Sequence, residues 1–171
     1  VRLGRFGLAL HPEKTRLIEF GRHAARRRRD RDEGGRPETF DFLGFTHICG
    51  RSRRGVFFLR RKSMVKRFRA TLRAIRERLH ESRHRPIREQ GASLRRVVQG
   101  WMNYHAIPCN WQRLHAFREQ VKRHWLHALR RRGQRHRMPW ERFGRIVDLW
   151  LPHPRVLHPW PSVRFDAKYP R

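Results

Sequence analysis

The stretch Phe40-Asp41-Phe42-Leu43-Gly44-Phe45 divides the chain between two architectures, with sheet-like sequence before it and helical periodicity soon after. Aromatic and branched residues at Phe40, Phe42, Leu43 and Phe45 suit a half-buried strand, and Gly44 inside it marks a bulge or the close approach of another backbone. A second apolar run, Val56-Phe57-Phe58-Leu59, follows the basic stretch Gly50-Arg51-Ser52-Arg53-Arg54-Gly55, so the two runs read as a hairpin. Upstream, Gly7-Leu8-Ala9-Leu10-His11-Pro12-Glu13-Lys14-Thr15 alternates and then turns at the proline. Leu17-Ile18-Glu19-Phe20 reads as the next strand, with Lys14 at its mouth. Between this strand and Phe40, residues 21–38 carry Arg26-Arg27-Arg28-Arg29, the carboxylates Asp30, Asp32 and Glu33, and Gly34-Gly35, a composition that predicts a mobile, solvated loop.

Downstream the period changes. Ser63 stands where a cap belongs, and Met64, Val65, Phe68, Leu72, Ile75 and Leu79 recur at spacings of three and four, with Arg and Lys on the other face. Pro86 and Gly91 bracket a connection, and Ser93 precedes a shorter amphipathic helix through Leu94, Val97, Val98 and Trp101. Asn110 caps a third helix with Trp111, Leu114, Phe117, Val121, Trp125 and Leu129 on one face, stopped at Gly133. Pro139-Trp140 opens a fourth, with Phe143, Ile146, Val147 and Trp150 inward. Pro152, Pro154, Pro159, Pro161 and Pro170 keep the end extended. The expected class is α+β: short N-terminal strands and a hairpin, then a mainly helical bundle and an extended Pro-rich tail.

Charge narrows the partner. Lys and Arg number 43 against 14 Asp and Glu, a formal charge of +29, with a sequence pI near 12.0. A field of that size repels itself and calls for polyanionic counter-charge, so nucleic acid is the expected partner. No apolar run approaches the ~18 to 20 residues of a spanning helix, and no signal peptide is visible, so no membrane is expected and the setting is intracellular, cytoplasmic in a bacterium. Cys49 and Cys109 stand far apart, which favours neither a disulfide framework nor a zinc site. The histidines, His23, His80, His84 and His136 among them, read as surface residues rather than metal ligands. Trp101, Trp111, Phe117 and Trp125 fall at core spacing, whereas Tyr104 and Trp160 lie outside the stripes and are candidates for base stacking. The opening on Val1-Arg2-Leu3-Gly4 resembles a cut edge rather than a start.

Three stretches resemble the C-terminal part of the reverse transcriptase and maturase proteins encoded by group II introns. Gly7-Leu8-Ala9-Leu10-His11-Pro12-Glu13-Lys14-Thr15 is similar to a late palm motif, G-L-x-L-x-x-x-K-T. Phe40-Asp41-Phe42-Leu43-Gly44-Phe45 is similar to the F-x-F-L-G-F hairpin that grips the primer end, and Gly100-Trp101-Met102-Asn103-Tyr104 to the G-W-x-N-Y signature of the maturase-specific region, domain X. The tail Leu151-Pro152-His153-Pro154-Arg155-Val156-Leu157-His158-Pro159-Trp160 is similar to the end of that region. The resemblance implies a distal palm remnant over 1–61 with the charged loop 21–38, a helical thumb and maturase-specific domain over 62–151, and an extended basic tail over 152–171.

What the resemblance implies for function is binding of group II intron RNA, to assist its folding and splicing as the cofactor of a ribozyme. The Y-x-D-D turn and its partner aspartate lie upstream in that family, and nothing in this sequence replaces them. The chain is therefore expected not to be catalytic on its own, to hold no metal, and to leave Mg²⁺ to a polymerase site elsewhere or to the RNA. No H-N-H nuclease pattern is visible. Lys14 would stand at the family's general-acid position beside the leaving pyrophosphate, and Phe42, Leu43, Gly44 and Phe45 would form the primer grip. Contacts to RNA are expected from Arg60, Arg61, Lys62, Lys66, Arg67, Arg69, Arg73 and Arg76, from Tyr104, and from Lys122, Arg123, Arg130, Arg131 and Arg132. Two alternatives stay open: the distal palm and thumb of a split or truncated active reverse transcriptase, which would pair with its upstream part and with primer-template, and a decayed mobile-element remnant that binds nucleic acid by charge alone.

Overall fold

The computed structural model describes residues 2–32, 34, 36–133, 138–160 and 163. Glu33, Gly35, His136, Pro161, Asp166 and Pro170, and the tail's other residues beyond 163, lie outside the described residues. The class is α+β, a three-stranded antiparallel sheet followed by a helical array. The chain divides into two compact units: Val1–Phe40 with His47–Arg60, and Asp41–Thr46 with Arg61–Arg171.

The sheet has the order β1 (Phe40–Phe42), β2 (Phe45–Arg51), β3 (Phe57–Ser63). The expected single strand through Phe45 is instead two strands, because Leu43 and Gly44 both take positive φ, 47° and 78°. Two consecutive left-handed residues make the tight connection whose twist matches that of paired antiparallel strands. Glycine adopts this geometry freely; leucine does so at a cost of about 1–2 kcal/mol. The hairpin expected between the Phe45 run and the Val56 run is present, closed by Ser52 N–H on the Val56 carbonyl at 2.8 Å.

In the first unit a 3-10 turn, Leu3–Phe6, precedes irregular chain. The strand expected over Leu17-Ile18-Glu19-Phe20 is absent, and the supposed loop 21–38 contains a helix, α1 (Ala24–Asp30). One cause accounts for both corrections. Glu19 turns to α1, pairing with Arg27 of the helix at 2.7 Å and with Arg31 just past its end, and its own N–H donates to Glu38 at 3.0 Å. Burial pushes Glu19 up, but the hydrogen bonds and charge of Arg27 and Arg31 outweigh it and hold the carboxyl below its ordinary range. The Glu19 N–H and then Arg16 do the same for Glu38. Cys49 accepts from Gly21 N–H at 3.3 Å, and Phe40 lies edge-on to Phe20 and flat on His47.

In the second unit the helices are α2 (Val65–Glu81), α3 (Ile87–His105), α4 (Trp111–Arg130) and α5 (Trp140–Trp150). Their apolar stripes meet in one core: Phe68, Leu72, Ile75 and Leu79 of α2, Leu94, Val98 and Met102 of α3, Leu114, Phe117, Val121, Trp125 and Leu129 of α4, and Phe143 and Val147 of α5. Each large side chain buried here contributes roughly 1.5–3 kcal/mol. Trp111 leaves the expected stripe; it is about half exposed and sits edge-on to His115. Gly91 does not end a connection either. α3 starts earlier, after Pro86, and Gly91 lies inside it, where a Cβ would stand 2.4 Å from Cγ of Trp150. Only glycine admits the indole there.

Polar groups in this unit are tied with few loose ends. Ser63 is not a cap but the buried last residue of β3, and Met64 takes the cap position. Gln90 donates to the carbonyls of Ser82 and Arg83 just past the end of α2 and accepts from Trp125 Nε1 at 2.9 Å. Buried Arg118 donates to Asp148 at 3.2 Å and to the Pro152 carbonyl at 3.2 Å, fixing the exit from α5.

Candidate nucleic-acid interface

Lys66, Arg69, Arg73, Arg76 and His80 follow one another along α2 at spacings of three and four and are all exposed, so they form a single cationic stripe beside the buried one. None of its lysine or arginine side chains pairs with a carboxylate among the described residues. α2 packs against α4, and across that seam stand Arg113, its guanidinium 5.5 Å above the Phe68 ring, and His124. Burial first, then the charges of Arg76 and His127, press the His124 imidazole below its ordinary pKa. Part of that depression is the electrostatic mark of the seam, since the positive charges of Arg76 and His127 act together on His124.

The remaining expected contacts divide between those that join this face and those that do not. Arg67 lies on the other flank of α2 and is exposed. Arg60, Arg61 and Lys62 are half-buried on β3, where successive side chains alternate between faces, so the three do not form one row. Arg123 and Arg130 are exposed on α4, and Arg131 follows its end. Lys122 points elsewhere, held by Glu119 at 3.0 Å and set 5.4 Å over the Trp140 ring. Arg132 is engaged structurally, donating to the Arg85 carbonyl at 2.6 Å. Lys14 is exposed in a turn in which its N–H donates to the His11 carbonyl, with no strand beside it. Among the described residues no group of three His, Cys, Asp or Glu side chains is placed to hold a metal ion.

The hairpin motif and the Trp101-to-Tyr104 motif come together. Tyr104, about half exposed, donates its hydroxyl to the Leu43 carbonyl at 2.6 Å and stacks on Phe45, centroids 5.5 Å apart at 22°. Gly44 O receives Met64 N–H at 3.0 Å, so the turn is pinned from two sides. Behind it, Trp101 lies flat between His105 and Phe117, at 4.1 and 3.8 Å. His105 Nδ1–H donates to the Trp101 carbonyl at 2.9 Å, and burial depresses its pKa. The result is a cleft of about 710 Å³ walled by the turn, α2 and α3, with Arg67 and Asp41 among its lining.

No family model, curated protein or solved structure matches this chain. Its function is therefore argued from the two surfaces just described. Arg113, His124 and His127 were not among the expected contacts; their signal in the sequence is the spacing 113, 124, 127, which continues the seam along α4, but histidines scattered among arginines conceal it.

Proposed function

We propose that the chain is an RNA-binding domain of the group II intron maturase kind, which grips structured RNA and stabilises its folded form. The observation that carries this reading is the exposed cationic stripe of α2, none of whose Lys or Arg side chains pairs with a carboxylate among the described residues, beside Arg113 and His124. Such a face lowers its own repulsion when phosphates replace small counter-ions, and the released ions make binding fall steeply with salt. A rigid row of cations on a helix selects by backbone geometry rather than base sequence, as folded RNA requires. The resemblance of the hairpin and of Gly100-Trp101-Met102-Asn103-Tyr104 to the maturase motifs supplies the identity of the RNA. On the same resemblance the chain is the distal part of an RNA-directed DNA polymerase, without its catalytic aspartates.

The test is competition. Labelled group II intron RNA is challenged with unrelated structured RNA and duplex DNA at two salt concentrations, using the native chain, an Arg69→Glu/Arg73→Glu/Arg76→Glu variant, and a charge-matched control, Arg51→Glu/Arg53→Glu/Arg54→Glu. The stripe variant is expected to weaken binding and to flatten the plot of log affinity against log salt by about two to three. A slope equal to that of the control removes the stripe from the interface. Equal competition by every polyanion at the higher salt removes the intron from the reading and leaves binding by charge alone.

A further inference from the structure

We propose that the cleft between the Leu43-Gly44 turn, α2 and α3 takes one unpaired RNA nucleotide, its base against Phe42 and Tyr104 and its phosphate on Arg67. The inference rests on the RNA-binding reading and adds what the cationic stripe cannot supply, a site for a base. At about 710 Å³ the cleft falls within the ~300–1,000 Å³ of small-ligand sites. Phe42 is 58% exposed, Leu43 67% and Tyr104 52%, an apolar group around one opening on a chain of formal charge +29.

Charge selects the occupant. Arg67 lines the cleft and pairs with no carboxylate among the described residues, and its neighbours along α2, Lys66 and Arg69, begin the cationic stripe. A phosphate meets its complement at Arg67, whereas an apolar protein segment would meet at the rim an arginine that no carboxylate neutralises among the described residues. A nucleotide offers both surfaces required, a π face and an anion. Asp41, also in the lining, has Oδ1 taken by the Thr46 hydroxyl at 2.6 Å; its carboxylate disfavours phosphate beside it and can accept N–H from a base edge. The walls are set in advance: the Tyr104 hydroxyl holds Leu43, Met64 N–H holds Gly44, and Phe45 backs the phenol. An exposed leucine kept in left-handed backbone at the lip is strain of the kind retained at binding sites.

The experiment measures binding of the full chain to two labelled RNAs with equal numbers of phosphates, a short single strand and a blunt duplex. The variants are Phe42→Ala, whose side chain is mostly in solvent, Tyr104→Ala, Tyr104→Phe and Arg67→Ala. Phe42→Ala and Tyr104→Ala are expected to weaken single-strand binding about tenfold and to leave duplex binding unchanged, because stacking is lost and charge is not. Tyr104→Phe should retain most of the single-strand affinity, and Arg67→Ala should lose part of it. Unchanged single-strand affinity in both alanine variants, or equal loss for the two RNAs, overturns the nucleotide site while the RNA-binding reading stands. Failure of the unaltered chain to bind either RNA overturns that reading and the site with it. A short apolar peptide that displaces the single strand but not the duplex, with affinity surviving Arg67→Ala, assigns the cleft to a protein segment instead.

Discussion

Asn110 is fully buried at the point where β3 ends and α4 begins, and its carboxamide serves three groups at once. Its oxygen accepts Ser63 N–H at 3.0 Å, and its nitrogen donates to Ser63 Oγ at 2.8 Å and to the His105 carbonyl at 2.9 Å. Asn110→Ala leaves the Ser63 N–H unpaired in the interior, while the His105 carbonyl keeps the Ile107 N–H at 2.8 Å, so the expected loss is about 2 kcal/mol, read as a fall in the urea midpoint at unchanged slope. The position of Asn110 before a helix was legible from its neighbours, because the apolar spacing begins just after it. Its role was not, since Ser63, its partner for two of the three bonds, is 47 residues away and a cap and a long-range clasp require the same side chain. Ser63 was misread for the same reason: caps and strand ends both favour small hydroxyls. Leu43 was illegible in another way, because no residue-level preference predicts leucine at positive φ.

At the scale of elements, long periodic segments were readable and short ones were not. The stripes of α2, α4 and α5 follow directly from three-and-four spacing, and each helix lies within a few residues of its expected bounds. α1 was missed because its stability resides in ion pairs with Glu19 rather than in an apolar stripe. The start of α3 was placed too late because Gly91 resembles a breaker, and only the Trp150 indole on top of it explains why glycine persists in mid-helix at a cost of about 1 kcal/mol against alanine. Gly91→Ala therefore destabilises despite the better helix propensity, by roughly 1–3 kcal/mol, as α5 is pushed from α3. Trp150→Leu should make the same alanine neutral or favourable, and a double-mutant cycle in denaturant measures that coupling. The candidate site followed this division: the α2 stripe was visible in the sequence, and the cleft was not, because it joins a turn to a helix 61 residues later through Tyr104 and Leu43.

Acid costs the molecule stability from two starting points. His105 and His124 are depressed in the fold below the ordinary 6.5, so the unfolded chain binds their protons first. Their contribution is complete above pH 6.5 and is lost as pH falls from there through the folded values. Glu19 and Glu38 are depressed below 4.5, and what they contribute is present above that pH and lost on further acidification. Unfolding followed from pH 8 to 3 should show the helical unit weakening first and the N-terminal unit only in the lower window. His124→Gln should flatten the first arm and leave the second untouched.

One carbonyl ties the end of the described tail to the turn between α3 and α4. Ala106 O accepts both Leu157 N–H at 2.9 Å and His158 N–H at 3.1 Å, and the His158 ring donates to the Asn103 carbonyl, 55 residues earlier in the chain. A ribosome delivers these groups in order, at ~5–20 residues per second. For several seconds of translation α2 and α3 are already outside while Ala106 still bonds to water. The corner therefore closes late in the synthesis of the helical unit, and a nascent chain exposes its basic helix before its own fold is finished.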